Sequence, residues 1–362
     1  MSEDSQAEVV GAPGSLDEDQ LAAWRHLAEQ RSNPFLTPEW FQAWIEANPE
    51  EEPFAIAWRR DGELRGVLPL VRVRKGLGRV LRFAGARRGD WFTPACRRED
   101  EEAMALAVAA LLKGVGGVWE LQMDRIDRES AWPQALWAAG AEGGVGPTKP
   151  RRTDVLPYVS FGEDGYEGYL AGRSRNFRSQ LGRRRRKLEG EHELGFRMTS
   201  EAAELETDLD TFFALHDERW EERGGSSSEG EAVRAFQRRF AAATLERGWL
   251  RLWLAEADGA PRAAWYGWRI GDRYCYSLSG LSKEYEKLAL GTVLLGHTIE
   301  QAAAEGAPIY DLMWGEEGYK ERFETGRRDA ATWVLGRRRH PARLLTGMRT
   351  VAERRARKLS GD

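Results

Sequence analysis

LRLWLAEADGAPRAAWYGWRIGDRYCYSLSGL, residues 250–281, is the stretch whose reading decides the fold. Three apolar and aromatic runs are separated by Asp258-Gly259 and Gly271-Asp272, dipeptides that suit two-residue hairpin turns because they tolerate positive φ. The pattern predicts three consecutive antiparallel strands. Downstream, a helix is expected over Leu290–Ala304, then a short strand in PIYDLM (308–313), a helix around Glu316–Phe323 and a last strand near 330–337. Upstream, a strand at 193–199 precedes helices near 203–223 and 231–247, which the Gly- and Ser-rich GGSSSEG (224–230) separates. An antiparallel meander followed by helix, strand, helix and strand is an α/β arrangement of mixed, largely antiparallel type.

The flanking sequence extends this organisation. In SRNFRSQLGRRRRKLEG (174–190), Ser174 is placed to cap a helix on which Phe177, Leu181 and Leu188 make one apolar stripe in a basic surface. In the first half, a helix is expected near 17–30, and Thr37 caps a second that opens on Pro38. A hairpin of FAIAWRR (54–60) and ELRGVLPLVRVR (63–74) turns on Asp61-Gly62, and a strand near 79–84, a helix near 99–113 and a strand at 117–122 follow. Gly and Pro crowd 140–152, where a boundary is expected. The resulting division is a disordered acidic tail at 1–15, domains at 16–150 and 151–340, and a basic C-terminal helix at 341–362.

Charge is segregated within a net of −4 over 362 residues. Residues 1–20 carry six acids and no base, 173–187 hold eight bases and no acid, and 337–362 hold nine Arg and Lys against Glu353 and Asp362. Such runs are either solvated helix faces or contacts for anionic partners such as tRNA. No apolar run of 18 residues exists, so no transmembrane segment is expected, and the acidic start lacks a secretory signal. The two cysteines, Cys96 and Cys275, have no metal or disulfide spacing, which points to a reducing cytoplasm and no metal. Walker A and Rossmann glycine patterns are absent, arguing against a nucleotide hydrolase or a dehydrogenase. No Ser-His-Asp or Cys-His constellation suggests covalent catalysis.

Several stretches together resemble the GNAT acyltransferase superfamily, in the CelD-type proteins that are themselves similar to the Fem aminoacyltransferases. They are SRNFRSQLGRRRRKLEG, LHDERW (215–220) and SLSGLSKEYEKLALGTVLLGHTIEQAAAEGAPIYDLMWGEEGYKERF (277–323). NPFLTPEWFQAWIEA, the hairpin and LRFAGARRGDWFTP join them in the first half, so the likeness covers roughly 30–336. It implies tandem GNAT-like domains with the chemistry in the second. It also implies a CoA thioester, acetyl-CoA or another acyl-CoA, whose pyrophosphate meets the helix opening at Ala289, Leu290, Gly291 and Thr292, where free N–H groups favour anions. The family signature Q/R-x-x-G-x-G/A reads here Glu286-Lys287-Leu288-Ala289-Leu290-Gly291, without the leading base.

The same resemblance nominates side chains. Asp311, at a strand end, is either a general base or a hydrogen-bond acceptor for the next turn. Tyr319 and Lys320 lie in the Gly-Tyr-Lys that the family places beside the acyl site, and Glu316, four residues before Lys320, would share its helix face. Arg178, His216, Trp220, Tyr274 and Tyr276 either line the substrate cleft or pack. His297 is read as a core histidine. The implied reaction is direct attack of an amine, on a small molecule, sugar or peptide, on the thioester carbonyl. A Fem-like transferase using aminoacyl-tRNA and a non-catalytic double-GNAT binding module stay open as alternatives.

Overall fold

The computed structural model describes residues 5–75, 78–86, 88–116, 118–141, 145–147, 152–220, 230–315 and 317–337. Glu316 and the basic segment 341–362 lie outside them. The chain forms two units, Met1–Arg31 with Phe35–Asp154 and Asp329–Asp362, and Ser32–Pro34 with Val155–Arg328.

The first unit runs β1 (Ser5–Gly11), α1 (Glu18–Gln30), α2 (Pro38–Ala47), β2 (Glu52–Arg60), β3 (Glu63–Lys75), β4 (Gly78–Phe83), β5 (Ala95–Cys96), α3 (Glu101–Gly114), β6 (Val118–Asp127), α4 (Trp132–Ala141) and β7 (Val145–Pro147). Thr37 caps α2 by accepting from the Trp40 N–H, with Pro38 in the first turn. Asp61 and Gly62, at φ 54° and 80°, make the β2–β3 turn. The core is built on Trp24, Trp40, Trp58, Phe41 and Phe83, all at most 1% exposed. Two of its buried indoles are satisfied by carbonyls, Trp24 by Leu36 and Trp40 by Ala84, at 2.7 and 2.8 Å. One expectation fails here. Residues 5–11, read as part of a disordered tail, form β1 against β2, with Val9 opposite Ile56. The backbone ladder, which composition does not report, orders this polar segment.

The second unit runs β8 (Arg152–Ser160), α5 (Gly165–Ala171), α6 (Arg175–Glu191), β9 (Leu194–Met198), α7 (Ala202–Trp220), α8 (Glu231–Glu246), β10 (Leu250–Ala257), β11 (Ala260–Ile270), β12 (Arg273–Leu281), α9 (Leu290–Ala304), β13 (Ile309–Asp311) and α10 (Lys320–Phe323). Ser174 caps α6 through the Phe177 N–H at 3.1 Å, and Leu188 is fully buried with Phe177 and Leu181 packed on the same core. That core joins Trp265, Tyr274, Tyr310, Leu290, Leu294 and Ile299 between the sheet and α9. The chain then returns to the first unit in β14 (Gly326–Arg337), whose Ala330 lies opposite Asp127 of β6. The expected boundary at 340 is therefore corrected: residues 329–337 complete the first sheet.

Each unit has a mixed, largely antiparallel sheet, and the two repeat one order. The first reads β1-β2-β3-β4-β6-β14 and the second β9-β10-β11-β12-β13-β8. In both, two helices connect the first strand to the second, and a crossover helix joins the fourth to a parallel fifth: α3 between β4 and β6, α9 between β12 and β13.

Candidate active site

The repeat poses a choice between two crossover helices, and electrostatics makes it. A helix start presents unpaired N–H groups and the positive dipole end, which attract anions unless acids already occupy them. The first turn of α3 holds Glu101 and Glu102, directly after Glu99 and Asp100, and Glu101 is ion-paired to Arg31 at 2.8 Å. The first turn of α9, Leu290-Gly291-Thr292, holds no acid. Ala289, at φ 59°, turns the chain into α9 in a left-handed conformation. A Cβ on Gly291 would meet only the Leu281 side chain, at 3.5 Å, so this helix start has space over it. Leu290 is fully buried and faces the core instead.

Beside this helix start the sheet opens. β12 and β13 pair only through Arg273, Tyr274 and Cys275, with Cys275 opposite Asp311. Leu312 then donates to Pro157 of β8, drawing the chain away while β12 continues to Leu281. On its other edge β12 carries a bulge. Tyr266 faces Leu278 and Gly267 faces Tyr276, which leaves Ser277 as the extra residue. A bulge re-aims backbone groups at such an opening.

Hydroxyl groups line the same stretch. Tyr319 Oη donates to Tyr276 Oη at 3.1 Å, Tyr276 Oη lies 2.7 Å from Ser279 Oγ, and Ser279 Oγ accepts from Arg219. Burial holds the Tyr319 hydroxyl well above the usual phenol range, so it keeps its proton at neutral pH. His216, 1% exposed, sits 2.8 Å from the Ser279 carbonyl through Nδ1. A carbonyl only accepts, so Nδ1 carries the proton, and burial lowers the imidazole pKa and keeps the ring neutral. Ser279 and Arg219 escaped sequence reasoning because their role follows from the bulge register, not from residue type.

The remaining nominated residues divide. Lys320 is 4% exposed and opens α10, and the expected partner Glu316 lies outside the described residues. Its Nζ bonds the Trp314 carbonyl at 2.9 Å and Glu317 at 2.9 Å, fastening the 313–317 loop, and it lies 6.0 Å above the Tyr276 ring. Asp311, 1% exposed, accepts from the Met313 N–H at 2.8 Å and faces Arg273 and Arg328 at 3.8 and 4.0 Å. That is the turn-holding alternative rather than an accessible base. Arg178 bonds the carbonyls of Leu170, Ala171 and Arg173, and so closes the end of α5 instead of reaching a cleft. Tyr274, fully buried, bonds the Trp253 indole at 3.0 Å and belongs to the core. Trp220 is the last residue of α7. His297 packs against Phe196 and Trp253, as a core histidine would, and burial lowers its pKa to about 4.

Residues 175–321 match the family described as acetyltransferase (GNAT) domain. Among solved structures, the chain is similar to FemX (TM-score 0.61, 12% identity, 85% of this chain and 95% of that one). It is similar also to the C-terminal domain of a putative lysylphosphatidylglycerol synthetase from Agrobacterium fabrum (TM-score 0.56, 13% identity, 87% and 92%). A third is L-PGS from Bacillus licheniformis (TM-score 0.54, 14% identity, 94% and 97%). No curated protein matches. At these identities the structural likeness is one of fold. The matched domain places a GNAT acyltransferase domain at residues 175–321, and the likeness to FemX is that of a shared fold.

Proposed function

We propose that this chain is an N-acyltransferase that moves an acyl group from a CoA thioester, acetyl-CoA being the first to test, to the amine of a small molecule, sugar or peptide. The observation that carries the reading is the acid-free, uncrowded start of α9 beside the opening between β12 and β13. The N–H groups of Leu290 and Gly291 would hold the pyrophosphate. Backbone N–H groups at the Ser277 bulge would stabilise the oxyanion formed as the amine attacks. As the adduct collapses, its nitrogen would lose a proton to water, and Tyr319, kept protonated by burial, would donate its own to the departing sulfur and recover one from solvent through Tyr276 and Ser279. Lys320 acts by holding the loop that carries Trp314. Cys96 and Cys275 are buried free thiols, which suits a reducing, cytoplasmic setting.

Calorimetric titration with acetyl-CoA tests the donor. A valine at position 291 places a branched side chain over the helix start, so Gly291→Val should weaken binding at least about tenfold while the protein stays folded. Equal affinity in both proteins would remove the α9 start from the donor site.

Two observations favour aminoacyl-tRNA as the donor instead: α6 exposes Arg175, Arg183, Arg186 and Lys187, and Glu286 stands where the CoA signature has a base. On that reading, tRNA affinity falls steeply with salt and the slope flattens when these four are replaced by Gln.

A further inference from the structure

The loop between β13 and α10 holds a large ring in solvent. Trp314 is 43% exposed, and among the described residues of the second unit no other large apolar side chain is exposed to that degree. The backbone beneath the indole is fixed on both sides. Met313, at φ 59°, takes a left-handed conformation that a non-glycine residue keeps only where its surroundings impose it. The Asp311 carboxylate holds the Met313 N–H at 2.8 Å, and Lys320 Nζ holds the Trp314 carbonyl at 2.9 Å. Both of these charged side chains are buried. Gly315, at φ 140°, supplies the next turn in backbone space that glycine enters most readily. Two buried charges and a strained residue thus fix the position of a ring whose exposure gains the fold nothing. Strain of this kind gathers where a surface has a task.

Lys320 also ties the loop to the hydroxyl groups of the candidate site. Its Nζ lies 6.0 Å above the Tyr276 ring and pairs with Glu317 at 2.9 Å. Tyr319, one residue before it, bonds Tyr276, which in turn meets Ser279. Burial above all keeps the Tyr319 hydroxyl protonated; the Glu317 carboxylate adds to that and the Arg219 guanidinium opposes it, so both charges stand near this hydroxyl. The indole therefore shares its neighbourhood with a carboxylate, a guanidinium and three hydroxyls.

That combination selects among amines. An aromatic amine covers the indole but leaves the polar groups unmet, at the cost of their lost water. An open-chain amine meets the polar groups but loses its conformational freedom when ordered on a flat surface. A pyranose satisfies both demands. Its C–H bonds make one ring face flat and apolar, while the hydroxyls at its rim donate to a carboxylate and accept from a guanidinium. We infer that Trp314 is the platform for a pyranose ring and that the acceptor is an amino sugar, seated with its apolar face on the indole and its hydroxyls toward Glu317 and Arg219. The inference rests on the proposed N-acyltransferase reading and narrows its acceptor.

Glucosamine, its open-chain counterpart glucamine, and benzylamine separate the contributions of ring, hydroxyls and aromaticity. Each is presented to the full chain, to Trp314→Ala and to Trp314→Phe, with saturation-transfer NMR reading binding and thiol release from acetyl-CoA reading turnover. The replaced ring lies at the surface and Phe keeps an aromatic face, so thermal unfolding should be the same in all three proteins. With the unsubstituted protein, saturation should reach the protons of one glucosamine ring face more than those of the other. KM for glucosamine should lie at least about fivefold below that for either other amine. Trp314→Ala should erase that preference through KM, with kcat for glucosamine changed by less than about twofold, and Trp314→Phe should fall between. Glucosamine bound by one face only when Trp314 is present, with no thiol released by any amine, keeps the platform and overturns acyl transfer. Amine-dependent thiol release with the same relative KM values in all three proteins overturns the platform and leaves acyl transfer standing. A benzylamine preference that Trp314→Ala removes, or no binding of glucosamine, overturns the sugar assignment.

Discussion

Replacing Lys320 with methionine keeps the apolar stem and removes one buried charge. In the folded protein Nζ donates to the Trp314 carbonyl and pairs with Glu317, while Lys320 itself is only 4% exposed. The bond from a charged donor to a carbonyl contributes about 1.5–3 kcal/mol. Glu317 is 43% exposed by side chain, so that pair is screened and adds at most about 1 kcal/mol. The loss should total about 2–4 kcal/mol, which for a unit of this size lowers Tm by about 5–15 °C. Turnover should fall as well, since the 313–317 loop adjoins Tyr319, and Glu317→Gln should reproduce only the small, screened part. Thermal unfolding followed by circular dichroism, beside turnover on any accepted substrate, measures both. An unchanged Tm with turnover reduced by about 10² or more would refute the reasoning and place the Lys320 ammonium at the oxyanion instead.

Asp311→Asn should destabilise by about 1–3 kcal/mol, because Arg273 and Arg328 lose their shared carboxylate, and urea denaturation would register it. Its effect on turnover should follow stability; a full-strength fold with no activity would restore Asp311 as the base. For His297 the folded pKa is depressed to about 4 from 6.5, so the unfolded chain takes up a proton first as pH falls. The stability that the neutral ring contributes is complete above pH 6.5 and is lost progressively toward pH 4, and His297→Phe should flatten that part of the stability profile. A profile identical to that of the unsubstituted protein would assign the acid loss to other groups.

The meander, both turns with Asp before Gly and the caps at Thr37 and Ser174 were legible because each rests on local chemistry: a positive-φ pair, an oxygen over the first helical N–H groups. The α6 stripe was legible from spacing alone. Sheet closure was not. Residues 329–337 read as one more strand of the second domain, since nothing local in ATWVLGR distinguishes β6 as its partner. The start of α9 at Ala289–Thr292 was legible because backbone geometry dominates there. It was obscured where partners come from distant chain. Arg178 looked free to bind substrate, yet the end of α5 claims it. Tyr274 and Tyr276 share a strand face, yet one bonds the core Trp253 and the other the hydroxyl chain to Tyr319. The helix expected around 316 starts only at Lys320, whose ammonium meets Glu317 just before it.

Release of free thiol from acetyl-CoA and longer acyl-CoAs, followed across a panel of small amines, amino sugars and peptides, tests the central claim most directly. The account predicts amine-dependent release by the unsubstituted protein. In Tyr319→Phe it predicts a loss of about 10²-fold or more in turnover with CoA affinity retained, because the hydroxyl is needed as sulfur departs and not for binding. Release that ignores the amine, or a Tyr319→Phe protein as fast as its parent, would contradict it.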